Sequence, residues 1–275
     1  MKNKTLVSVA MVAVAAATVS AASFSHVRSG IPALAVYSQA EPVAQVSAFD
    51  VSAADASFSV GDTATAYIFN STLTMYVTGT GDVTGNELIQ TSGQLVANLV
   101  IDEGITYVGK NAFANLTGLQ TIQLPDSLVK FGNGVFRGCS VLTTVTNVNI
   151  QDIDECGGNN AAYSTPFRDC PALKTVTFSP NCTKICNRLF QDCAGLTNVT
   201  FADSIASIGD YAFCNTNISG ESGELRLPDS CTYLGNGVFQ NCASIKSVTN
   251  INVSDDAPGS GNNAAYNTPF YKCDN

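Results

Sequence analysis

The sequence predicts a repeat solenoid, α/β or mainly β, in which one short strand per coil joins a parallel sheet. Two observations lead to this prediction. The first is a phenylalanine that recurs along the chain at positions 113, 136, 167, 190, 213, 239 and 270. The second is that other residues keep a fixed distance from it, with aliphatic residues six and nine positions later and usually a cysteine three positions later. Self-similarity at a period of about 20–50 residues is typical of solenoids.

The residue pattern of each repeat unit predicts one strand, one turn and one bend. The aliphatic positions end in a period of two, as in Leu119, Ile122 and Leu124, so this stretch should be a short strand with alternate side chains buried. Pro125 follows directly, where a strand should stop, and Gly109 lies four residues before its phenylalanine, where a tight bend is expected. One unit buries too few apolar side chains to fold alone, so neighbouring units must stack and pair their strands.

The sequence also contains a second, longer repeat that comprises several of the short units. Residues 132–170 and 235–273 match at an offset of 103 positions, and both contain GNGVF and GNNAAY. Each copy carries an insertion that lengthens the phenylalanine spacing to 31 residues. Duplication of a four-coil block explains the match. The second copy ends before its strand, so the last repeat is expected to be incomplete.

The N-terminus, residues 1–22, is predicted to be a secretory signal peptide. Lys2 and Lys4 precede an uncharged apolar run, Leu6 to Ala21, that ends in small residues. This is the layout of an export signal. The alternative is a membrane anchor, but a run of about sixteen residues is shorter than the roughly 20 that a spanning helix needs.

Residues 23–60 are rich in Ala, Ser and Val, and no helical or strand period holds across them. They are predicted to be a linker that leads into the folded domain. The folded part should then consist of an N-terminal β cap over residues 61–95 and a repeat array over residues 96–275.

In each predicted strand, the residues between the buried positions should point outward on one face of the sheet. They form an almost uncharged ladder of Thr121, Gln123, Thr144, Thr146, Thr175, Thr177, Asn198, Thr200, Glu224, Arg226, Ser247 and Thr249. Solenoids build extended binding surfaces by such repetition, so the ladder is a candidate ligand-binding platform. The alternative is that threonine is present only because it suits an exposed strand.

The two insertions, near 151–160 and 255–263, are a second candidate binding region. They are rich in Asp, Asn and Gly, a composition that can hold calcium. The spacing of these residues is not kept between the copies, so we expect solvated loops that contact a partner without a metal.

The ten cysteines are expected to be mostly core residues. Five lie three positions after a phenylalanine, an inward position, and Cys182 and Cys231 also occupy core positions of the repeat. Of the three others, Cys156 stands apart, whereas Cys186 and Cys214 fall on neighbouring coils and are a candidate disulfide pair. Pairing within the stacked column is the alternative.

The composition excludes several classes of function. A net charge of −9 and a pI near 4.4 argue against nucleic acid as a partner. The single histidine, His26, lies outside the repeats, so a Ser/His or Cys/His mechanism has no base. Carboxylates such as Asp152 and Asp154 could only formally act in glycan hydrolysis. No enzyme activity and no cofactor are therefore expected.

The array contains IGDYAF at 208–213 and FQDCAGLTNV at 190–199. These stretches resemble BspA-type leucine-rich repeats, and LTMYVTGTGD at 73–82 is similar to the hairpin that often precedes such arrays. The resemblance covers residues 61–275. It implies a right-handed coil and an extracellular or surface protein that adheres to host proteins or to other cells, with no shared catalytic residues.

The sequence therefore predicts a secreted or cell-surface protein that mediates adhesion or protein–protein interaction through its strand face and insertion loops. Its expected partner is an extracellular protein or glycan on a host matrix or a cell surface. Two alternatives are a structural surface-layer component that assembles edge to edge through its last coil and a glycan-binding module.

Overall fold

The structure is a computed structural model that describes residues 50–85, 87–154, 165–220, 222–252 and 268–273. The chain divides into two compact units, residues 1–48 and residues 49–275, and every described residue lies in the second unit. The predicted signal peptide and most of the predicted linker fall outside the described residues. No helix in the described ranges is long and apolar enough to cross a bilayer.

The largest sheet, here called the front sheet, runs along the whole solenoid up to residue 200. Its described strands are β1 (Ala56–Ser59), β2 (Ala64–Phe69), β3 (Thr74–Gly79), β5 (Asn98–Ile101), β7 (Thr121–Gln123), β9 (Thr144–Val148), β11 (Thr175–Phe178) and β13 (Asn198–Thr200). They are hydrogen-bonded in that order. β1, β2 and β3 are antiparallel, and every later pair is parallel. The predicted parallel solenoid is confirmed.

Shorter strands line the opposite side of each coil. Four of them pair in the order β4 (Gly81–Val83), β6 (Ile105–Val108), β8 (Lys130–Phe131) and β10 (Asp152–Ile153). Three more pair in the order β12 (Lys184–Ile185), β14 (Ser207–Ile208) and β16 (Tyr233–Leu234). The repeat pattern did not predict them, because most are two residues long and a period of two cannot be recognised over two residues.

The remaining described elements are few and short. The helix α1 (Glu87–Ser92) and a 3-10 turn (Gly93–Leu95) cover the N-terminal end of the array. A second 3-10 turn (Val51–Ala53) precedes β1. Beyond residue 200, the strands β15 (Glu224–Arg226) and β17 (Ser247–Thr249) form a separate two-stranded parallel sheet.

The seven recurring phenylalanines form one continuous column through the core. From Phe113 to Phe270, each ring stacks on the next with centroids 5.0–5.8 Å apart and planes within 19° of parallel. The first six rings are fully buried. Such pairs stabilise by roughly 0.5–1.5 kcal/mol beyond their burial. The period seen in the sequence is therefore the period of the core.

The cap differs from its prediction in two places. Residues 56–59, which were predicted to end the linker, form β1 and place Phe58 against the core; four residues are too few to reveal a period. The predicted hairpin is present but begins earlier than 73–82: it consists of β2 and β3, whereas β4 joins the opposite sheet. Gly79 and Gly81 turn the chain between the sheets at φ of 122° and 75°, a region that favours glycine.

The cysteines three positions after a phenylalanine form a second column beside the rings. Each thiol donates to the carbonyl of a phenylalanine in the preceding coil, as in Cys139 to Phe113 at 3.3 Å and Cys170 to Phe136 at 3.2 Å. These cysteines therefore satisfy buried backbone acceptors as well as filling space.

The candidate disulfide between Cys186 and Cys214 is not formed. Both are free, buried thiols, as are the other described cysteines apart from the half-buried Cys273. In the repeat register, Cys186 takes the place of the bend glycine four residues before Phe190, whereas Cys214 directly follows Phe213. Cys156 falls outside the described residues.

Asp126 joins three successive coils at the turn that ends β7. Its carboxylate accepts hydrogen bonds from Nδ2 of Asn147 at 3.0 Å, from the Ser179 hydroxyl at 2.5 Å and from Nδ2 of Asn181 at 2.7 Å. The same turn recurs 103 residues later at Asp229, whose carboxylate accepts from Asn250 and Arg226 and whose side chain is 77% exposed.

We expect Asp126→Ala to lower the free energy of unfolding by about 2–3 kcal/mol, because it leaves the part-buried donors of Asn147 and Ser179 and the exposed donor of Asn181 without their charged acceptor. Asp229→Ala is the matched control and should cost less than about 1 kcal/mol, since an exposed carboxylate is well solvated. Urea unfolding followed by circular dichroism measures both. Equal losses in the two variants would contradict this assignment.

Candidate functional site

The structure brings eight of the ten predicted site residues onto one continuous surface. Two rows of outward side chains cross the strands β7, β9, β11 and β13, and we call them the polar front face. The first row holds Thr121, Thr144, Thr175 and Asn198, which are register partners on successive strands. The second row holds Gln123, Thr146, Thr177 and Thr200. A bulge in β9, where Asn147 has φ of 58°, separates the two halves of this second row.

The other two predicted residues, Arg226 and Thr249, lie outside this surface. They belong to β15 and β17, which do not pair with β13. Arg226 Nη2 is bound to Asp229 Oδ1 at 3.0 Å. The Thr249 hydroxyl is buried and has no hydrogen-bond partner among the described residues, so it is not presented to a ligand.

Three extra residues cause the interruption between β13 and β15. The spacing from Phe213 to Phe239 is 26 residues instead of 23, that is, 26 − 23 = 3. Gly220 and Gly223 accommodate the added chain at φ of 61° and 90°. A Cβ on Gly220 would lie only 2.0 Å from the Glu224 carbonyl oxygen, so this position requires glycine.

The interruption uncovers the end of the polar front face. In β7, β9 and β11 the central residue is buried and its outward neighbours are half-buried. In β13 the outward Asn198 and Thr200 are exposed, and Val199 between them is half-buried. Phe201 is half-buried as well, whereas Phe178 one coil earlier is buried. The most accessible part of the face is therefore β13.

Seven of the eight hydrogen-bonding side chains of the face fall into two sets, and the eighth, Thr144, contacts the Thr143 hydroxyl at 3.5 Å. The Thr121 hydroxyl donates to Asn98 Oδ1 at 2.8 Å and the Thr146 hydroxyl donates to the Ile122 carbonyl at 3.2 Å. In contrast, the side chains of Gln123, Thr175, Thr177, Asn198 and Thr200 make no hydrogen bond to any described residue. The groups that remain available for a ligand are thus concentrated on β11 and β13.

The cap extends the same face with residues that the repeat pattern did not identify. Tyr67 pairs with Tyr76, which pairs with Val100 and so continues the row of Gln123. Phe69 packs edge-on against Tyr76 at 5.6 Å. These residues precede the first phenylalanine of the array. The alternation of ATAYIF at 64–69 is the signal that could have identified them.

On the opposite face, the carboxylates Asp152 and Asp154 are engaged by Lys130. Its Nζ lies 3.4 Å from Asp152 and 2.9 Å from Asp154, and the Tyr107 hydroxyl donates to Asp154 at 2.5 Å. The hydrogen bonds from Tyr107 and Lys130 hold the pKa of Asp154 below its ordinary value. Burial, together with Asp154, raises the pKa of Tyr107 to about 12. This cluster ties β6, β8 and β10 together.

Within the described ranges, no group of three or more His, Cys, Asp or Glu side chains is placed to hold a metal ion. Most of both insertion loops falls outside those ranges, so the loop hypothesis stays a prediction.

The comparison with known families identifies the repeats. The BspA type leucine rich repeat region matches residues 91–157 and 160–273 in six copies, which together make up well over half of the chain. A search of curated proteins finds no match.

Solved structures with a similar fold include three bacterial proteins. One is a leucine rich cell surface protein from Faecalibacterium prausnitzii, with 22% identity over 76% of this chain and a TM-score of 0.46; the chain covers 56% of that protein. Another is a T. pallidum leucine rich repeat protein, with 19% identity over 68% of this chain, 78% of that one and a TM-score of 0.45. The pneumococcal vaccine antigen PcpA shares 18% identity over 71% of this chain and 49% of that one, with a TM-score of 0.40.

The family match covers the same coils that the phenylalanine column holds together. On that match, this chain belongs to the BspA-type leucine-rich repeat family.

Proposed function

We propose that this protein is exported and acts at the cell surface or in the extracellular space by binding another molecule through its polar front face. The observation that carries the proposal is the alignment of eight threonine, asparagine and glutamine side chains in two rows over four parallel strands. Repetition of one strand per coil creates a surface that is long enough for an extended ligand. The insertion loops are a second proposed contact region.

A binding role fits the chemistry of the fold better than catalysis does. Leucine-rich repeat solenoids are typically interaction scaffolds, and the Ser179 hydroxyl that donates to the Asp126 carboxylate is buried in a turn that joins coils. The thiols are buried, and burial raises their pKa, so they are poor nucleophiles at neutral pH. The carboxylates Asp152 and Asp154 are already paired with Lys130.

The proposal is tested by blocking the face. The purified chain would be screened for binding to host matrix proteins, intact cells and immobilised polysaccharides. A Thr175→Lys, Thr200→Lys double variant places two bulky charges on the face and should lower the affinity for the bound partner at least about tenfold, since a charge that cannot be paired is costly to bury.

Thr232→Lys is the matched control, because Thr232 is exposed beside β16 on the opposite side of the coil. It should bind as the parent protein does, and circular dichroism should show that all variants are folded. Unchanged binding by the double variant would show that the face is not the binding surface.

A further inference from the structure

We propose that the ligand of the polar front face is a neutral, extended glycan and that β11 and β13 make most of the contacts with it. This inference rests on the proposed function and names the class of ligand.

The strands of the polar front face lack the side chains that usually anchor a protein partner. The outward side chains of β7, β9, β11 and β13 are hydroxyls and carboxamides, without an aromatic, arginine or aliphatic residue among them. Protein–protein interfaces derive most of their affinity from buried Trp, Tyr and Arg anchors with apolar surroundings. The part of the face that β7, β9, β11 and β13 form offers a protein partner no such anchor, and the Tyr67 and Tyr76 rings lie in the cap at its far end. A polyhydroxylated ligand needs none.

The spacing of the strands and of their outward side chains also fits an extended glycan. Neighbouring strands of a sheet lie about 4.8 Å apart, and outward residues of one strand are about 6.6 Å apart. A β-1,4-linked glycan laid across the strands therefore places about one sugar ring over each coil, with one row of side chains along each edge of the chain. The repeat of the coils along the solenoid then matches the repeat of the sugar rings along the glycan.

Several side chains of the face have hydrogen-bonding groups that are available to sugar hydroxyls. A threonine hydroxyl both donates and accepts, and an asparagine amide does the same, so each can match a sugar hydroxyl in either sense. The side chains of Thr175, Thr177, Asn198 and Thr200 make no hydrogen bond to any described residue. Those of Thr121 and Thr146 already bond to neighbouring strands. The contacts should therefore concentrate at β11 and β13.

Two further features define the ligand. The absence of charge from the eight outward positions gives an anionic glycan no cation to pair with. The exposed Asn198 and Thr200 at the end of β13 leave room for the ligand to extend beyond the last strand of the face.

The test measures binding of the full chain to the neutral probes cellohexaose, mannohexaose and chitohexaose, with heparin and a sialylated oligosaccharide as anionic probes. We expect at least one neutral hexasaccharide to bind, with a dissociation constant that changes less than about twofold between about 0.05 and 0.5 M salt. The three neutral probes distinguish a glucose, a mannose and an N-acetylglucosamine source.

Alanine substitutions test which residues of the face contact the glycan. Thr175→Ala, Asn198→Ala and Thr200→Ala together should weaken binding of the neutral probe by at least about tenfold, because each removes a hydrogen bond to the ligand. The control is Thr106→Ala with Thr232→Ala, which removes the same chemical group at two exposed positions on the opposite side of the coils. It should change the affinity by less than about threefold.

The outcomes separate this inference from the proposed function. Failure of every neutral probe to bind, or salt-sensitive binding of the anionic probes alone, would overturn the ligand class. A protein partner lost in the triple variant would also overturn it, while leaving the front face as the binding surface. Binding of a partner that no front-face variant alters would refute the proposed function itself.

Discussion

We expect the protein to lose its stability steeply as the pH rises from 9 towards 11, because it buries many cysteines as neutral thiols. Burial is the main cause that raises the pKa of these groups from an ordinary value of 9.0. The pKa reaches about 11 at Cys182 and Cys242 and about 12 at Cys139 and Cys214, and it is raised further at Cys170, Cys186 and Cys193.

The direction follows from proton binding. Above pH 9 the unfolded chain releases these protons while the folded protein keeps them, so the unfolded state binds fewer protons and stability falls with rising pH. At pH 10 each such thiol costs about 1–2 kcal/mol. Over the seven thiols the loss is comparable to the whole stability of a typical domain.

Urea unfolding at pH 7.5, 9 and 10 under reducing conditions measures this loss, and thiolate absorbance at each pH reports the ionisation directly. A Cys139→Ser, Cys193→Ser variant should lose less stability between pH 7.5 and 10 than the parent does, by about 3 kcal/mol for the two thiols. Thiolates that appear at pH 9 in a fully folded protein would contradict the prediction.

Phe190→Ala should have the largest effect of any single core substitution near the middle of the solenoid. Phe190 is fully buried and stacks on Phe167 at 5.0 Å and on Phe213 at 5.8 Å. Its removal costs about 3–5 kcal/mol for the lost burial and the cavity. In a solenoid it also uncouples the coils on its two sides, because each coil contacts only its neighbours.

The measurement is urea unfolding, with the width of the transition as a second observable. We expect the transition of Phe190→Ala to broaden as the N-terminal and C-terminal coils begin to unfold separately. Phe201→Ala is the control, since the same ring is half-buried there and should cost clearly less. Equal losses with equally sharp transitions would show that the column does not couple the coils.

The core could be predicted from the sequence because one residue type marks each coil. The phenylalanines, the inward cysteines and the strand positions keep their mutual distances, so a single alignment of the coils places most buried residues correctly. β1 and the two-residue strands on the opposite side were missed because each is shorter than the stretch needed to reveal a period of two.

The proposed binding surface was predicted less completely, because the accessibility of its side chains depends on contacts with neighbouring strands. The 26-residue spacing before Phe239 was visible, but a spacing does not reveal whether the extra residues bulge outward or split a sheet. Nor could the sequence indicate that Thr121 bonds to Asn98 while Thr175 has no such partner, because this depends on side-chain orientation across strands.

The split of the front sheet after β13 has a mechanical consequence. On that side the strands β13 and β15 share no backbone ladder, whereas β14 and β16 behind them remain paired and the phenylalanine column continues without a break. A pulling force along the long axis would therefore meet its weakest resistance at this joint. We expect the coils on the two sides of this joint to separate before any others do. They would rotate about the stacked phenylalanine rings, which stay in contact.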